Sequence, residues 1–185
     1  MLKNEIFQFV NNLNNADVPT MVFRETVFDI ISFGKSSKIH LATTASLNRV
    51  KNVLSQNQIT IESIENDAIK FTLDKDTVFI HSIFKCSYDD FLEKMVQTNL
   101  TFNSLLMKPN GQIYDMHEGL THLRNKQLVF VKNFDKSTDT NLALNCIRYI
   151  YRNGFTYTED VKKYIETTLK SFSKSERVNA LFYLV

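Results

Sequence analysis

Residues 38–50, KIHLATTASLNRV, join a predicted β-strand to a predicted α-helix. KIHLATT alternates in the manner of a strand, and Ser46 is a residue type that caps helix N-termini, which predicts a helix from Ser46 to about Ser55. The end of a strand beside a helix N-terminus is a favourable position for carboxylates that bind a metal ion. This strand carries Lys38 and His40 instead, which raises the question of whether the stretch is an active site or has the shape of one without its chemistry.

The composition is that of one globular domain, or of one domain with a small helical appendage. The chain has 185 residues, 43% of them hydrophobic, and its 15 Phe and 7 Tyr supply large side chains for a core. Cys86 and Cys146 lie among apolar residues and form no CxxC pair, which predicts buried thiols. No signal-peptide pattern and no apolar run of about 20 residues is present, so we expect a cytoplasmic protein without a membrane segment.

Positive charge is concentrated in the C-terminal third of the sequence. Residues 1–119 hold 11 Lys and Arg against 14 Asp and Glu, whereas residues 120–185 hold 11 against 6. This excess indicates an anionic partner for the C-terminal end. Ordinary solvated helix faces explain the same excess at least as well.

The secondary-structure pattern changes near residue 131. Before it, helical and strand patterns are mixed, and after it the patterns are all helical. Turn residues separate three β-rich runs, QITIESI, AIKFTL and TVFIHSIF, and the last two are expected to form a hairpin. The main predicted helices cover residues 3–14, 46–55, 139–152, 158–171 and 173–184.

Four collinear segments resemble the motifs of one enzyme family. ATTASLNRV is similar to AT-[DS]-A-[TS]-P-E-E-V, and TFNSLLMKPNGQIYDMHEGL is similar to FTINAL followed by P-x-G-x-I-x-D-P-F-G-G-L. TDTNLALNCIRYIYRNGF is similar to E-D-P-L-R-L-L-R-A-I-R-F-A-x-R-L-G-F, and SKSERVNAL to S-x-E-R-I-x-x-E-L. The family is that of the class II tRNA nucleotidyltransferases (CCA-adding enzymes) and bacterial poly(A) polymerases. The resemblance implies an α+β fold, with a nucleotidyltransferase (polymerase β-like) head and short mixed sheet over 1–131 and a helical neck over 132–185.

The family's reaction needs acidic residues that this sequence lacks at the matching positions. Adding a nucleotide to an RNA 3′ end is an in-line phosphoryl transfer, and two divalent metals held by carboxylates stabilise the attacking and leaving oxygens. The family's D-x-D falls on Lys38 and His40, and its third carboxylate falls near Ile80. Lys38 repels a cation. We therefore predict no metal site, no catalytic residue and no cofactor.

The family's triphosphate-binding turn is also altered. A Gly-Gly pair there lets backbone N–H groups approach the phosphates. That pair falls on Arg24 and Glu25, whose side chains would block the approach, while Val27 and Asp29 of the turn remain.

The predicted neck helix keeps part of the family's nucleotide-binding face. Asp139 and Arg148 match the family, but two of its arginines are replaced by Leu142 and Asn145, and Leu cannot replace the planar Arg fork that pairs with a base edge. Asp139, Asn145, Arg148 and Arg152 are therefore candidates for nucleotide or RNA binding in a vestigial cleft. A solvated helix face explains the same stripe of polar residues.

Two further features concern partners. Lys162, Lys163 and Lys170 are candidates for contacts with an RNA backbone, although acidic residues interrupt them and simple solvation remains an alternative. The apolar residues 180–185 favour a dimer or a protein partner that packs on the C-terminal helices.

Two groups of residues are weaker candidates for a transition-metal site. His40 and His81 lie on neighbouring predicted strands, but a Zn²⁺ site takes three or four ligands and no other ligand is evident nearby. The run DMHEGLTHL, residues 115–123, contains two His and two acids, and the resemblance makes it a turn that leads into a short helix.

We interpret the chain as a degenerate, non-catalytic nucleotidyltransferase-like protein that binds RNA, with tRNA as the RNA implied by the family, or a protein partner. Two alternatives stay open. One is an active nucleotidyltransferase with displaced carboxylates, such as Asp29 or the acids at 65–76, and the other is a structural or regulatory subunit without affinity for nucleic acid.

Overall fold

A computed structural model describes residues 4–65, 67–83, 99–132, 134 and 139–172. Cys86, the predicted helix over 173–184 and the apolar residues 180–185 lie outside the described residues. The described residues form two compact units. The first unit holds the residues up to 83 together with Leu105–Met116, and the second holds 99–104 and the residues from 117 onward.

The first unit combines a seven-stranded mixed sheet with helices, which confirms the predicted α+β fold. Its helices are α1 (Asn4–Asn15), α2 (Glu25–Phe33) and α3 (Leu47–Gln56). Its strands are β1 (Thr20–Phe23), β2 (Lys38–Thr43), β3 (Ile61–Glu65), β4 (Ala68–Leu73), β5 (Asp76–Ser82), β6 (Leu106–Met107) and β7 (Ile113–Tyr114).

The strands lie in the order β3-β4-β5-β2-β1-β6-β7. Strands β4 and β5 form the predicted antiparallel hairpin, and β1 pairs antiparallel with both β2 and β6. Strands β2 and β5 are parallel, with His40 opposite Phe79 and Leu41 opposite Ile80. A parallel pair needs a long crossover connection, which here runs through α3, β3 and β4, so two strands that are distant in sequence lie side by side at the centre of the sheet.

One face of these central strands belongs to the hydrophobic core. Ile39, Leu41, Val78 and Ile80 are fully buried, and burial of each such side chain stabilises the fold by about 1.5–3 kcal/mol. Helix α1 covers this face, and Phe9 meets Phe71 of β4 edge to face with ring centroids 5.5 Å apart.

Capping residues fix the ends of the helices that flank β2. Ser46 accepts a hydrogen bond from the backbone N–H of Arg49 at 3.3 Å, which confirms it as the N-cap of α3. Gly34 ends α2 in the left-handed conformation, with φ of 73°, and its N–H donates to the carbonyl of Ile30. Both ends of β2 are thereby held next to a helix terminus.

The second unit contains a short parallel ladder among helices. Its elements are a 3₁₀ helix (Thr101–Ser104), α4 (Gly119–Arg124), β8 (Gln127–Leu128), α5 (Thr140–Asn153), β9 (Thr156–Tyr157) and α6 (Glu159–Ser171). Helices α5 and α6 confirm two of the predicted helices. The prediction of helices alone after residue 131 was wrong, because the backbone N–H of Thr156 donates to the carbonyl of Lys126 at 2.7 Å and joins β9 to β8.

Aromatic rings form the core of the second unit. Phe102 is fully buried, and its ring lies 5.2 Å from that of Tyr149 and 5.7 Å from that of Phe155. Cys146 is also fully buried, and burial raises the pKa of its thiol to about 12, which confirms the predicted buried thiol. No helix in the described ranges is both long and apolar enough to cross a bilayer.

Candidate functional site

The second face of strands β2 and β5 carries the positions that matter for the family's chemistry. Lys38 and His40 lie on this face of β2, and Phe79 and His81 lie on the same face of β5. Ile80 does not take part, because successive side chains of a strand point to opposite faces and Ile80 is fully buried in the core. The side chains of β5 that lie on this face near Ile80 are those of its neighbours Phe79 and His81.

The two histidines are in direct contact. Nδ1 of His40 lies 3.2 Å from Nε2 of His81, a hydrogen bond in which either ring can be the donor. The His40 ring also stacks on Phe79, with centroids 5.0 Å apart and an interplanar angle of 8°. Phe23, at the end of β1, meets His81 edge to face at 5.2 Å. Aromatic and imidazole rings therefore fill the centre of this face.

Helix α2 holds the backbone of β2 in place behind these rings. The hydroxyl of Thr26, fully buried, accepts a hydrogen bond from the backbone N–H of His40 at 2.8 Å and donates to the carbonyl of Lys38 at 3.1 Å. A buried hydroxyl with both roles satisfied fixes the position of β2 relative to the start of α2.

Arg24 has a backbone conformation that favours glycine. Its φ is 57° and its ψ is −143°, and it directly precedes α2. A side chain is rarely accommodated in this region. The family's Gly-Gly pair falls at this point in the sequence, and the structure keeps the glycine-like turn while adding a guanidinium that lies over the Phe23 ring at 4.8 Å.

Both histidines are biased toward the neutral form. Burial, followed by the charges of Arg24 and His40, lowers the pKa of His81 to about 4. Burial also lowers the pKa of His40, and the positive charges of Arg24 and Lys38 act in the same direction against the opposing effect of Glu25. At neutral pH the site therefore contains two neutral imidazoles, and the charged side chains that act on them are those of Glu25, Arg24 and Lys38.

We expect His81 to titrate near pH 4 in the folded protein, compared with an ordinary value of 6.5. Because the unfolded chain binds the proton more tightly between these values, the contribution of His81 to stability is complete above about pH 6.5 and is lost as pH falls toward 4. Ring-proton NMR across this range measures the titration directly. A His81→Gln variant should lose less stability between pH 7 and pH 5 than the wild type, and titration of His81 near 6.5 would contradict the assignment.

The residues of this face do not fit the divalent metals that the fold family implies. Mg²⁺ takes carboxylate, carbonyl and water oxygens, whereas the described residues of this face carry ammonium, imidazole and phenyl groups, next to the guanidinium of Arg24 and the carboxylate of Glu25. Across the described parts of the chain, no three His, Cys, Asp or Glu side chains converge as a metal site. Lys38 and Arg24 also repel a cation placed between them.

Asp29 and His122, which were considered as possible metal ligands, each have another hydrogen-bonding partner. The carboxylate of Asp29 accepts a hydrogen bond from the hydroxyl of Ser36 at 2.8 Å, and burial raises its pKa. In the run 115–123, Glu118 begins α4 in the left-handed conformation. Nδ1 of His122 lies 2.9 Å from the hydroxyl of Thr101.

The candidate residues of the predicted neck all lie on or next to α5. Asn145, Arg148 and Arg152 are three and four residues apart and so share one face of the helix, with Asn145 and Arg152 exposed and Arg148 half-buried. Asp139 is the N-cap of α5, and its Oδ1 accepts from the backbone N–H groups of Asn141 and Leu142. The carboxylate of Asp139 therefore stabilises the start of the helix.

Lys162, Lys163 and Lys170 are all exposed on α6. The opposite side of the helix is buried through Val161 and Tyr164. Lys162 lies 3.8 Å from Glu159, a long and solvent-exposed ion pair that is worth little energetically. The three ammonium groups are thus accessible to an anionic partner.

Reasoning from the sequence missed the aromatic part of the site. Phe23 and Phe79 were not considered as site residues, yet their rings contact the two histidines. The alternating pattern of TVFIHS would have indicated that Phe79 belongs to the site, because Phe79 and His81 are two residues apart and share a strand face.

No protein-family model matches the sequence, and no curated protein matches it. Solved structures do match. The Bacillus stearothermophilus CCA-adding enzyme in complex with CTP superimposes with a TM-score of 0.76 at 16% identity, over 97% of this chain and 47% of that chain. The Thermotoga maritima CCA-adding enzyme complexed with tRNA superimposes with a TM-score of 0.77 at 14% identity, over 97% of this chain and 46% of that chain.

A tRNA nucleotidyltransferase complexed with a primer tRNA and an incoming ATP analog gives a TM-score of 0.74 at 13% identity, over 95% of this chain and 54% of that chain. The chain thus spans about half the length of the structures it matches. At these identities the likeness shows the fold. Over its own length, the protein has the fold of the CCA-adding tRNA nucleotidyltransferases.

Proposed function

We propose that this protein binds RNA through its second unit and does not catalyse nucleotide addition. The proposal rests on which side chains lie on the central face of the sheet. Where the family's motifs place three carboxylates, this chain has Lys38, His40 and a β5 strand that presents Phe79 and His81.

The loss of catalysis follows from electrostatics. Two divalent metals bring four positive charges to the reacting phosphates, and carboxylates must offset their mutual repulsion. The present face adds positive charge through Lys38 and Arg24 and contributes two imidazoles in place of acids. Imidazole nitrogen is a poor ligand for Mg²⁺, which prefers oxygen.

The proposal of RNA binding is supported by the accessible charge of the second unit. Exposed lysines lie along α6, and α5 carries exposed Asn145 and Arg152 on one face. Phosphate contacts by lysine supply most of the sequence-independent affinity for nucleic acid. Two of the structures with a similar fold were solved with tRNA, so tRNA is the first RNA to test.

Charge reversal on α6 tests this function. We expect Lys162, Lys163 and Lys170 changed together to Glu to weaken tRNA binding by about tenfold or more at low salt, and to reduce the slope of log affinity against log salt by about 2. Fluorescence anisotropy with labelled tRNA and with a single-stranded oligonucleotide, across a range of salt concentrations, gives both quantities.

The matched control changes Lys35, Lys51 and Lys75 of the first unit to Glu, which alters the net charge equally. The control should retain most of the affinity if the α6 lysines contact the RNA. Equal losses in the two triple variants would indicate a general charge effect. Absence of binding to several RNAs at low salt would refute the proposal and favour a protein partner.

A further inference from the structure

The second unit exposes two tyrosines around the end of helix α5. Among its described residues, the exposed large hydrophobic side chains are Tyr151, which is 74% exposed, and Tyr157, which is 46% exposed. They are six residues apart in the sequence, so their Cα atoms lie within about 20 Å of each other. Within the part of the chain that the structure describes, neither ring has an aromatic partner and neither hydroxyl has a hydrogen-bonding partner. Both side chains are therefore available to a ligand.

The end of helix α5 fixes the position of Tyr151. This tyrosine lies in the last turn of the helix, which Gly154 ends in the left-handed conformation. Phe155 then enters the core, where its ring lies 5.7 Å from that of Phe102 and 5.5 Å from that of Tyr149. The buried ring of Phe155 anchors the chain directly after the helix.

The ladder of β8 and β9 fixes the position of Tyr157. The backbone N–H of Thr156 donates to the carbonyl of Lys126 at 2.7 Å, and that of Thr158 donates to the carbonyl of Leu128 at 3.2 Å. A backbone hydrogen bond is therefore made on each side of Tyr157. A tyrosine on a fixed backbone orders two side-chain torsions when it binds, which keeps the entropic cost of binding low.

The chain segments around the two tyrosines are cationic. Residues 119–132 hold three Lys and Arg, residues 140–158 hold two, and neither range contains an Asp or Glu. Exposed Arg152 directly follows Tyr151, and exposed Lys126 lies next to β9 through its ladder bond. Acidic residues border this area at the N-cap of α5 and at the start of α6. Cations without carboxylates between them favour an anionic polymer as the ligand.

We propose that Tyr151 and Tyr157 stack with unpaired bases of an RNA strand while Arg124, Lys126 and Arg152 contact its phosphates. We call these five residues the tyrosine surface. The inference rests on the proposed binding of RNA by the second unit. It adds a ligand class, single-stranded RNA, and a surface made of residues other than the α6 lysines.

Stacking on tyrosine favours a single strand over a duplex. The bases of a duplex are already stacked on each other, whereas an unpaired base can place its face on an aromatic side chain. Every base has such a face, so the tyrosine surface distinguishes unpaired from paired RNA without reading a sequence. Arginine and lysine beside the rings supply the charge that holds the backbone of the strand.

Fluorescence anisotropy with a labelled single-stranded oligoadenylate of about 12 nucleotides tests the proposal. We expect Tyr151→Ala and Tyr157→Ala each to weaken binding about fivefold or more, which is the effect of losing one stacked base. Tyr151→Phe keeps the ring and should bind within about twofold of the wild type. Because both tyrosines are exposed, thermal melting of the variants should match that of the wild type.

Two controls isolate the stacking. Phe33→Ala removes an exposed ring of the first unit and should leave oligoadenylate binding unchanged, and an RNA duplex should bind equally to the wild type and to the alanine variants. The chain contains no Trp, so its intrinsic fluorescence comes from tyrosine. Binding of the single strand should quench this fluorescence in the wild type, and less in Tyr151→Ala and Tyr157→Ala.

The phosphate contacts have a separate test. Arg124→Gln combined with Lys126→Gln should reduce the slope of log affinity against log salt by about 1.4 for the single strand, because two phosphate contacts are lost. Lys51→Gln combined with Lys75→Gln in the first unit alters the net charge equally and should leave the slope unchanged.

Unchanged binding of the single strand by both alanine variants overturns the proposal, and so does an equal loss of affinity for the single strand and the duplex. In either case, weaker tRNA binding by the α6 charge-reversal variant would leave the proposed function standing. Absence of binding to any RNA would overturn both.

Discussion

Replacing Phe23 with alanine is expected to lower the free energy of unfolding by about 3–5 kcal/mol. Phe23 is 1% exposed and belongs to a buried cluster with Met21, Ala42 and Leu106. Its removal leaves a cavity beside the imidazole pair and opens that pair to water. Because burial is the main cause of the low pKa of His81, we also expect that pKa to rise toward its ordinary value.

Chemical denaturation and NMR titration of the same variant measure the two effects. Phe33→Ala is the matched control, because Phe33 is 56% exposed at the end of α2 and touches Phe28 edge to face. Its cost should be about 1 kcal/mol or less. A similar loss of stability in the two variants, or an unchanged titration of His81 in Phe23→Ala, would contradict the account of the site as a packed ring cluster.

Changing Gly119 to alanine is expected to destabilise the second unit by about 3 kcal/mol or more. A Cβ at this position would lie 2.4 Å from the carbonyl oxygen of Thr101 and 2.9 Å from its carbonyl carbon. These are backbone atoms of the 3₁₀ helix that holds Phe102 in the core, so they cannot move aside as a flexible side chain would. Helix α4 and the 3₁₀ helix would have to separate.

Gly154 provides the control for this substitution. It ends α5 in the left-handed conformation with φ of 68°, and a Cβ there would meet nothing within 4 Å. Gly154→Ala should therefore cost only the conformational penalty of about 1 kcal/mol. If thermal melting shows Gly119→Ala to be no worse than Gly154→Ala, the close packing of α4 on the 3₁₀ helix is wrong.

The helices and strands that were predicted from the sequence are those long enough to show a repeating pattern of apolar residues or a cap or turn residue at one end. Helix α1 has apolar residues at helical spacing, Ser46 caps α3, and the β4–β5 hairpin has turn residues at its tip. Strands of two residues, such as β6 and β9, carry no period and were missed. The parallel pairing of β2 with β5 depends on a tertiary crossover and leaves no local signal.

The candidate site was predicted in part for the same reasons. Lys38 and His40 follow from motif spacing, and the structure places both on the face of β2 opposite the core, where Lys38 is exposed and His40 is half-buried. The position on β5 was placed only near Ile80, and neighbouring residues of a strand point to opposite faces. That is why Ile80 is in the core and His81 is at the site. The glycine-like turn at Arg24 is a backbone property that a single sequence does not display.

The central claim is that the sheet face no longer supports metal-dependent nucleotide addition. The most direct measurement incubates the protein with Mg²⁺, labelled CTP and ATP, and a tRNA that lacks its 3′-terminal nucleotides, beside a CCA-adding enzyme as positive control. The account predicts no product longer than the input RNA. Extension of the tRNA without a template, abolished by EDTA, would contradict it.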